Sequence, residues 1–114
     1  MKIKRLLVTA LVACLLSTSI SLAASAPASE NWENHCAKCH GADGKGQTKV
    51  GKKLRLKDYS DAKVQAEMTN EDMDRVINDG VQDADGKEKM KGFAAEFSIN
   101  EINALIDYIR KFKD

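Results

Sequence analysis

Cys36 and Cys39 stand two residues apart and His40 follows directly, in the run Cys36-Ala37-Lys38-Cys39-His40. Two thiols at this spacing can add, from one tight turn, across the two vinyl groups of a single porphyrin. The next residue then projects an imidazole under the ring, where it can bind iron. The motif points to one haem c, covalently held by Cys36 and Cys39, with His40 as proximal axial ligand. Two plainer chemistries share these residue types. A redox dithiol belongs in a βαβ pattern, and the sequence shows none. A structural zinc site wants four ligands, yet only His35 stands nearby and no second Cys or His pair follows.

Haem iron has a second axial position, open to water, a His or a Met. His35 is tied to the proximal turn and cannot reach the far face. Outside the leader the methionines are Met68, Met73 and Met90. Met68 and Met73 fall at apolar positions of helical patterns and read as core. Met90 stands alone among Lys87, Glu88, Lys89 and Lys91, with no apolar stripe to join. Coordination of iron from the distal side gives it a reason to point inward.

Helices must position these groups, because starts and stops of helices recur after the leader and alternating strand patterns do not. Ser29 reads as an N-cap with Glu30 in the first turn, and Trp32 shares a face with Cys36. Trp32 is read as a core aromatic packed on the last helix. Gly41 to Gly46 has three glycines but lacks the Gly-Lys-Ser/Thr ending of a phosphate loop, so it reads as turns. Gln47 to Tyr59 is basic and reads as a loop over one haem edge. Ser60 is read as capping a short helix through Met68, with Ala62, Val64 and Met68 inward.

Thr69-Asn70-Glu71-Asp72 marks another helix start, with Asp72 as a shorter capping-box partner and Gly80 at the C′ position. Val81 to Gly92 is nearly devoid of apolar residues and reads as a loop. Its Asp83-x-Asp85-Gly86 lacks the closing Glu of a calcium loop. Ser98-Ile99-Asn100-Glu101 is a capping box, opening a helix with Ile99, Ile102, Leu105, Ile106, Ile109 and Phe112 as its apolar stripe. Lys111 and Lys113 fall where the helix dipole favours cations.

The 114 residues allow one domain. Lys2, Lys4 and Arg5, an apolar run from Leu6 to about Ile20 and the small residues Ser21 to Ala26 have the order of a secretory signal peptide. Residues 1–23 are expected to be removed near Ala23. Residues 24–28 would form a short flexible mature N-terminus, and 29–114 the folded domain. An uncleaved anchor, or lipid attachment at Cys14 after Leu11-Val12-Ala13, would instead tether the protein. Of the 18 Lys and Arg, three lie in the leader, so 15 face the 17 Asp and Glu. A net charge near −2 argues against nucleic acid as a partner. A domain this small is short of core material, and an apolar cofactor would supply it.

Taken together, these residues resemble the class I monohaem cytochromes c of the small bacterial type, over essentially all of 29–113. The likeness lies in Trp32 before the Cys36-to-Gly41 motif, the helix from Asp72 to Gly80, Met90-Lys91-Gly92-Phe93, and Ile102 to Phe112 with Tyr108-Ile109-Arg110. It implies an all-α fold whose first and last helices cross beside the haem. In the family a Gly-Pro segment after the motif offers a carbonyl to Nδ1 of the proximal His. Here Val50-Gly51-Lys52 takes that place, leaving open which carbonyl orients His40. A Pro also commonly follows shortly after the Met, where Gly92 stands here. Both departures remove a stiff backbone element, so the Met loop is expected to be looser than in the family.

The resemblance implies a periplasmic one-electron carrier with His40 and Met90 on iron, no enzymatic activity, and redox-protein donor and acceptor partners. A monomer is expected, meeting membranes only through its partners or an N-terminal anchor. Lys38, Lys45, Lys49, Lys52, Lys53, Lys87, Lys89 and Lys91 flank the haem segments and could steer an acidic partner. One alternative is a haem-based sensor or peroxidase-like domain, which requires Met90 to leave iron. Another is a cytochrome subunit held in a respiratory complex.

Overall fold

The computed structural model describes residues 25–114; the leader, its cleavage site and Cys14 lie outside the described residues. Six helices follow in order: α1 (Ala28–His35), α2 (Ala37–His40), α3 (Lys49–Leu54), α4 (Ala62–Glu67), α5 (Asn70–Asp79) and α6 (Ile99–Arg110). Between α5 and α6 a small antiparallel hairpin pairs β1 (Val81–Gln82) with β2 (Glu88–Met90). Apart from this hairpin the regular elements of the described residues are helical, as the sequence predicts. Among the described residues no helix is long and apolar enough to cross a membrane.

The core is built on α6. Ser98 and Glu101 close the expected capping box, so the helix starts at a fixed residue and its stripe has a fixed direction. Ile102, Leu105, Ile106 and Ile109 are buried, and α1 and α5 both pack against this face. Trp32 from α1 is 2% exposed and sits against Tyr108 and Phe112 at 5.9 and 5.0 Å between ring centroids. Met73 and Ile77 of α5, with Phe93 and Phe97, complete the cluster. Truncating a fully buried side chain such as Leu105 would cost about 2–5 kcal/mol.

Several expectations are corrected. α1 begins at Ala28, and Pro27, not Ser29, occupies the N-cap without a side-chain hydrogen bond. The helix opens instead on the Pro27 carbonyl, which accepts from the Asn31 amide. The basic stretch after Gln47 is not all loop, because Thr48 caps α3 by accepting from the Gly51 amide. Asp61, not Ser60, caps α4; the Ser60 hydroxyl instead donates to Asp58. Ala62 is exposed and Gln65 takes the inward position. Thr69 caps α5 as expected, but the Asp72 carboxylate accepts from Arg75 rather than turning back to the cap. Ile99 lies in the first turn of α6 and is 78% exposed, off the buried stripe. Lys111 is the C-cap of α6 and Lys113 lies beyond it, leaving Arg110 as the basic residue of the last turn.

Candidate functional site

The Cys36-to-His40 motif spans the junction of α1 and α2, and its main chain is tied at nearly every carbonyl. Cys36 O accepts from the Cys39 and His40 amides at 3.2 and 2.9 Å, and Ala37 O accepts from Gly41 at 2.8 Å. Gly46 N donates to His40 O at 2.8 Å. Two side chains finish the set. The Trp32 indole donates to Gly41 O at 3.0 Å, and the Thr48 hydroxyl donates to Cys39 O at 2.5 Å. The same Thr48 oxygen accepts from Gly51 N at 2.8 Å, coupling the motif to α3. Gly51 is forced by this approach, since a Cβ there would lie 2.8 Å from Cys39 O and closer still to Gly46 O.

Cys36 and Cys39 are free, half-buried thiols. Burial, and then the neighbouring Cys39, push the Cys36 thiol up to about 11, so it stays protonated at neutral pH. The His40 ring stacks on Tyr59, 5.3 Å between centroids and 22° between planes, with Trp32 tilted on it at 5.7 Å. Burial holds the imidazole below its ordinary range, favouring the neutral form that binds metal. Burial also raises the Tyr59 phenol, with a smaller push from Cys36. His40 Nδ1 is buried and has no hydrogen-bond partner.

Met90 ends β2, opposite Val81, and is half-buried against the core cluster. Its backbone is held by glycines rather than by proline. A Cβ on Gly80 would run into Met90 O and lie 2.6 Å from Gly92 N, and one on Gly92 would lie 2.6 Å from Asn78 O. Past Met90, the amides of Phe93 and Ala94 donate to Ile77 O and Asn78 O, capping α5. The segment is therefore packed against the end of α5 from Met90 onward, and paired with β1 before it. Met68 and Met73 stay with the core, as expected. The His35 ring lies edge-on to Phe93 and Phe97, just past the Met90 segment.

The donor set suits a haem. The Cys36 thiol and the Met90 thioether lie at the border of one apolar cluster, beside the partly buried Ala37 and Tyr59, and the His40 ring stacks on Tyr59. Among the described residues no group of three or more His, Cys, Asp and Glu is arranged to hold a metal ion. Surface hollows lie both away from the motif and beside it. One sits between α5 and α6 against Asp74 and Asp107, and the other lies outside the turn at Gly41 to Thr48. Donor chemistry, not concavity, marks the site.

Sequence reasoning missed Thr48, Gln65 and Asn31. Gln65 Nε2 donates to Tyr59 O and Ile109 O at 2.7 and 2.9 Å, and Asn31 donates to Glu101 across α1 and α6. Only Thr48 left a local trace, as a hydroxyl three residues before Gly51. The lysine rim also needs revision. Lys89 pairs with Asp83 at 3.4 Å and Lys91 with Glu96, so their charges are largely answered locally. Lys38, Lys49, Lys52 and Lys53 are exposed and make no ion pair among the described residues.

A covalent-haem motif on a cytochrome c fold defines a c-type cytochrome, and comparison with known proteins agrees. Residues 23–109 match the family model described as cytochrome c oxidase, cbb3-type, subunit III. The chain therefore belongs to this family of c-type cytochromes, whose members carry haem c and transfer electrons with it. Among solved structures it is similar to the KustC0563 c-type cytochrome, with 30% identity and a TM-score of 0.68 over 78% of this chain and 100% of that one. A tyrosine-to-phenylalanine mutant of Kustc0563 is similar at 31% identity and a TM-score of 0.66, over 77% of this chain and all of its own. No curated protein matches the chain.

Proposed function

We propose that the protein is a periplasmic one-electron carrier holding a single haem c. Cys36 and Cys39 would carry the thioethers, His40 the proximal iron bond and Met90 the distal one. When bound, the haem supplies reversible one-electron chemistry and nothing else in the chain needs to react. The observation that carries this reading is the His40 ring: half-buried, packed against Tyr59 and Trp32, with its Nδ1 buried and without a hydrogen-bond partner. The pinned Met90 segment supports a closed iron and counts against a sensor or peroxidase role, which needs an open site. Intact mass after acid–acetone extraction tests the attachment. A haem retained by wild type, and lost from Cys36→Ala with Cys39→Ala, is expected; a haem extracted from wild type would contradict it.

Export rests on the signal-peptide pattern of residues 1–23, with tethering by an uncleaved leader or Cys14 as the alternative. Donor and acceptor would be redox proteins. The exposed lysines of α3 beside the motif support an acidic docking partner. Residues 38–57 hold seven Lys or Arg against one Asp, whereas residues 58–85 hold nine Asp or Glu against two Lys or Arg. The family description favours a second reading, a subunit of a terminal oxidase rather than a free shuttle. Native size after mild extraction separates them: a free carrier elutes as a monomer, a subunit with its complex.

A further inference from the structure

We infer that Tyr59 is the positioning residue for the His40 imidazole, fixing its plane by face-to-face contact in place of a main-chain acceptor on Nδ1. The inference rests on the proposed function, in which His40 binds iron. A metal-bound histidine usually donates its second ring N–H to a carbonyl or carboxylate, and that bond sets the plane of the ring. Here the Thr48, Gly51 and Lys52 carbonyls of the neighbouring segment accept main-chain amides, and none accepts from His40. With Lys52 in place of proline the segment winds into α3, so Thr48 O accepts from Lys52 N and Gly51 O accepts from Leu56 N and Arg55 N. His40 Nδ1 is left buried and unpartnered.

The plane is held another way. The Tyr59 ring lies 5.3 Å from that of His40 and only 22° from parallel, so turning the imidazole about Cβ–Cγ would drive its edge into the phenol face. Trp32 limits the ring from another direction, its indole held on Gly41 O. Tyr59 is itself mounted firmly. Its amide donates to Gly44 O at 2.9 Å, and its carbonyl accepts from the buried Gln65. Gln65 reaches Ile109 O, while Arg110 donates to both oxygens of Gln65. A network whose members are all satisfied is stiff. It ties the Tyr59 main chain, from which the ring projects, to α6.

Proton NMR of the ferric holoprotein tests this, because the plane of the axial imidazole sets how unpaired spin is shared among the haem ring methyls. Tyr59→Phe, which keeps the stack, is expected to retain the order and spread of the methyl resonances. Tyr59→Leu, which removes it, is expected to reorder them. An unchanged pattern in Tyr59→Leu, or an equal change in Tyr59→Phe, would overturn the inference. Should Tyr59→Leu fail to mature, wild type decides. Cross-relaxation between the His40 and Tyr59 ring protons is expected, and its absence would overturn the proposal. A wild-type protein without hyperfine-shifted methyls would overturn the proposed function as well.

Discussion

The main chain of Gly80 touches that of Met90 so closely that a single methyl group on Gly80 would collide with the Met90 carbonyl. Gly80 has φ 73° and ψ −169°, a conformation open essentially to glycine alone. The end of α5 thus sets the position of the sulfur-bearing residue. Gly80→Ala is expected to cost about 1–3 kcal/mol in denaturant unfolding of the holoprotein. It should also weaken the long-wavelength absorption that marks sulfur on ferric iron. Full retention of both would show that Met90 is held by something else.

Thr48 serves two partners at once, the Cys39 carbonyl and the Gly51 amide. Thr48→Val keeps the shape and deletes both bonds, leaving a half-buried carbonyl unanswered. The expected loss is about 2 kcal/mol by urea unfolding, the sum of a lost cap and an unmade hydrogen bond. Thr48→Ser should recover most of it. A valine variant as stable as wild type would mean that α3 does not brace the motif.

Much of this architecture was legible because its causes are local. Cys36, Cys39 and His40 fall within five consecutive residues, and the capping box at Ser98 and Glu101 within the first turn of α6. Met90 stood out by its isolation among charges. α3 was hidden because its interior holds Gly51 and its surface only lysines, so periodicity could not reveal it. The β1–β2 hairpin was hidden because it is two and three residues long and mostly exposed, leaving no alternation to read. Gln65 and Asn31 were illegible for a different reason. Their partners lie 44 and 70 residues away, and only the folded chain brings them together.

Acid should loosen the junction of α1 and α6. The amide of Ser98, and then Asn31, hold the Glu101 carboxylate below its ordinary value of 4.5. The folded state therefore binds this proton less readily than the unfolded chain, and stability rises with pH through that window. The contribution is fully present above about 4.5 and disappears as pH falls through the lowered folded value. In thermal unfolding from pH 7 down to pH 3, the gap in Tm between wild type and Glu101→Gln is expected to narrow below 4.5. A gap of constant size would place the ionised carboxylate outside the stability of the fold.

The unpaired lysines of α3 should outweigh the negative total charge wherever electrons enter or leave beside the motif. Oxidation by anionic hexacyanoferrate is expected to slow with ionic strength, while a cationic cobalt oxidant should speed up. Lys49→Glu with Lys52→Glu should lower the hexacyanoferrate rate at low salt on the order of 10-fold and flatten its salt dependence. Equal salt slopes in wild type and the charge-reversed protein would move the entry point away from α3.

The most direct measurement compares wild type with Met90→Ala, recording the ferric and ferrous absorption spectra and the midpoint potential of each holoprotein. Wild type should show the sulfur-ligation band and resist carbon monoxide. Met90→Ala should lose the band, bind carbon monoxide and shift to a lower potential, because a thioether favours ferrous iron. Identical spectra and potentials in the two proteins would show that Met90 does not touch the iron, and the account of a closed, doubly held electron carrier would fall with it.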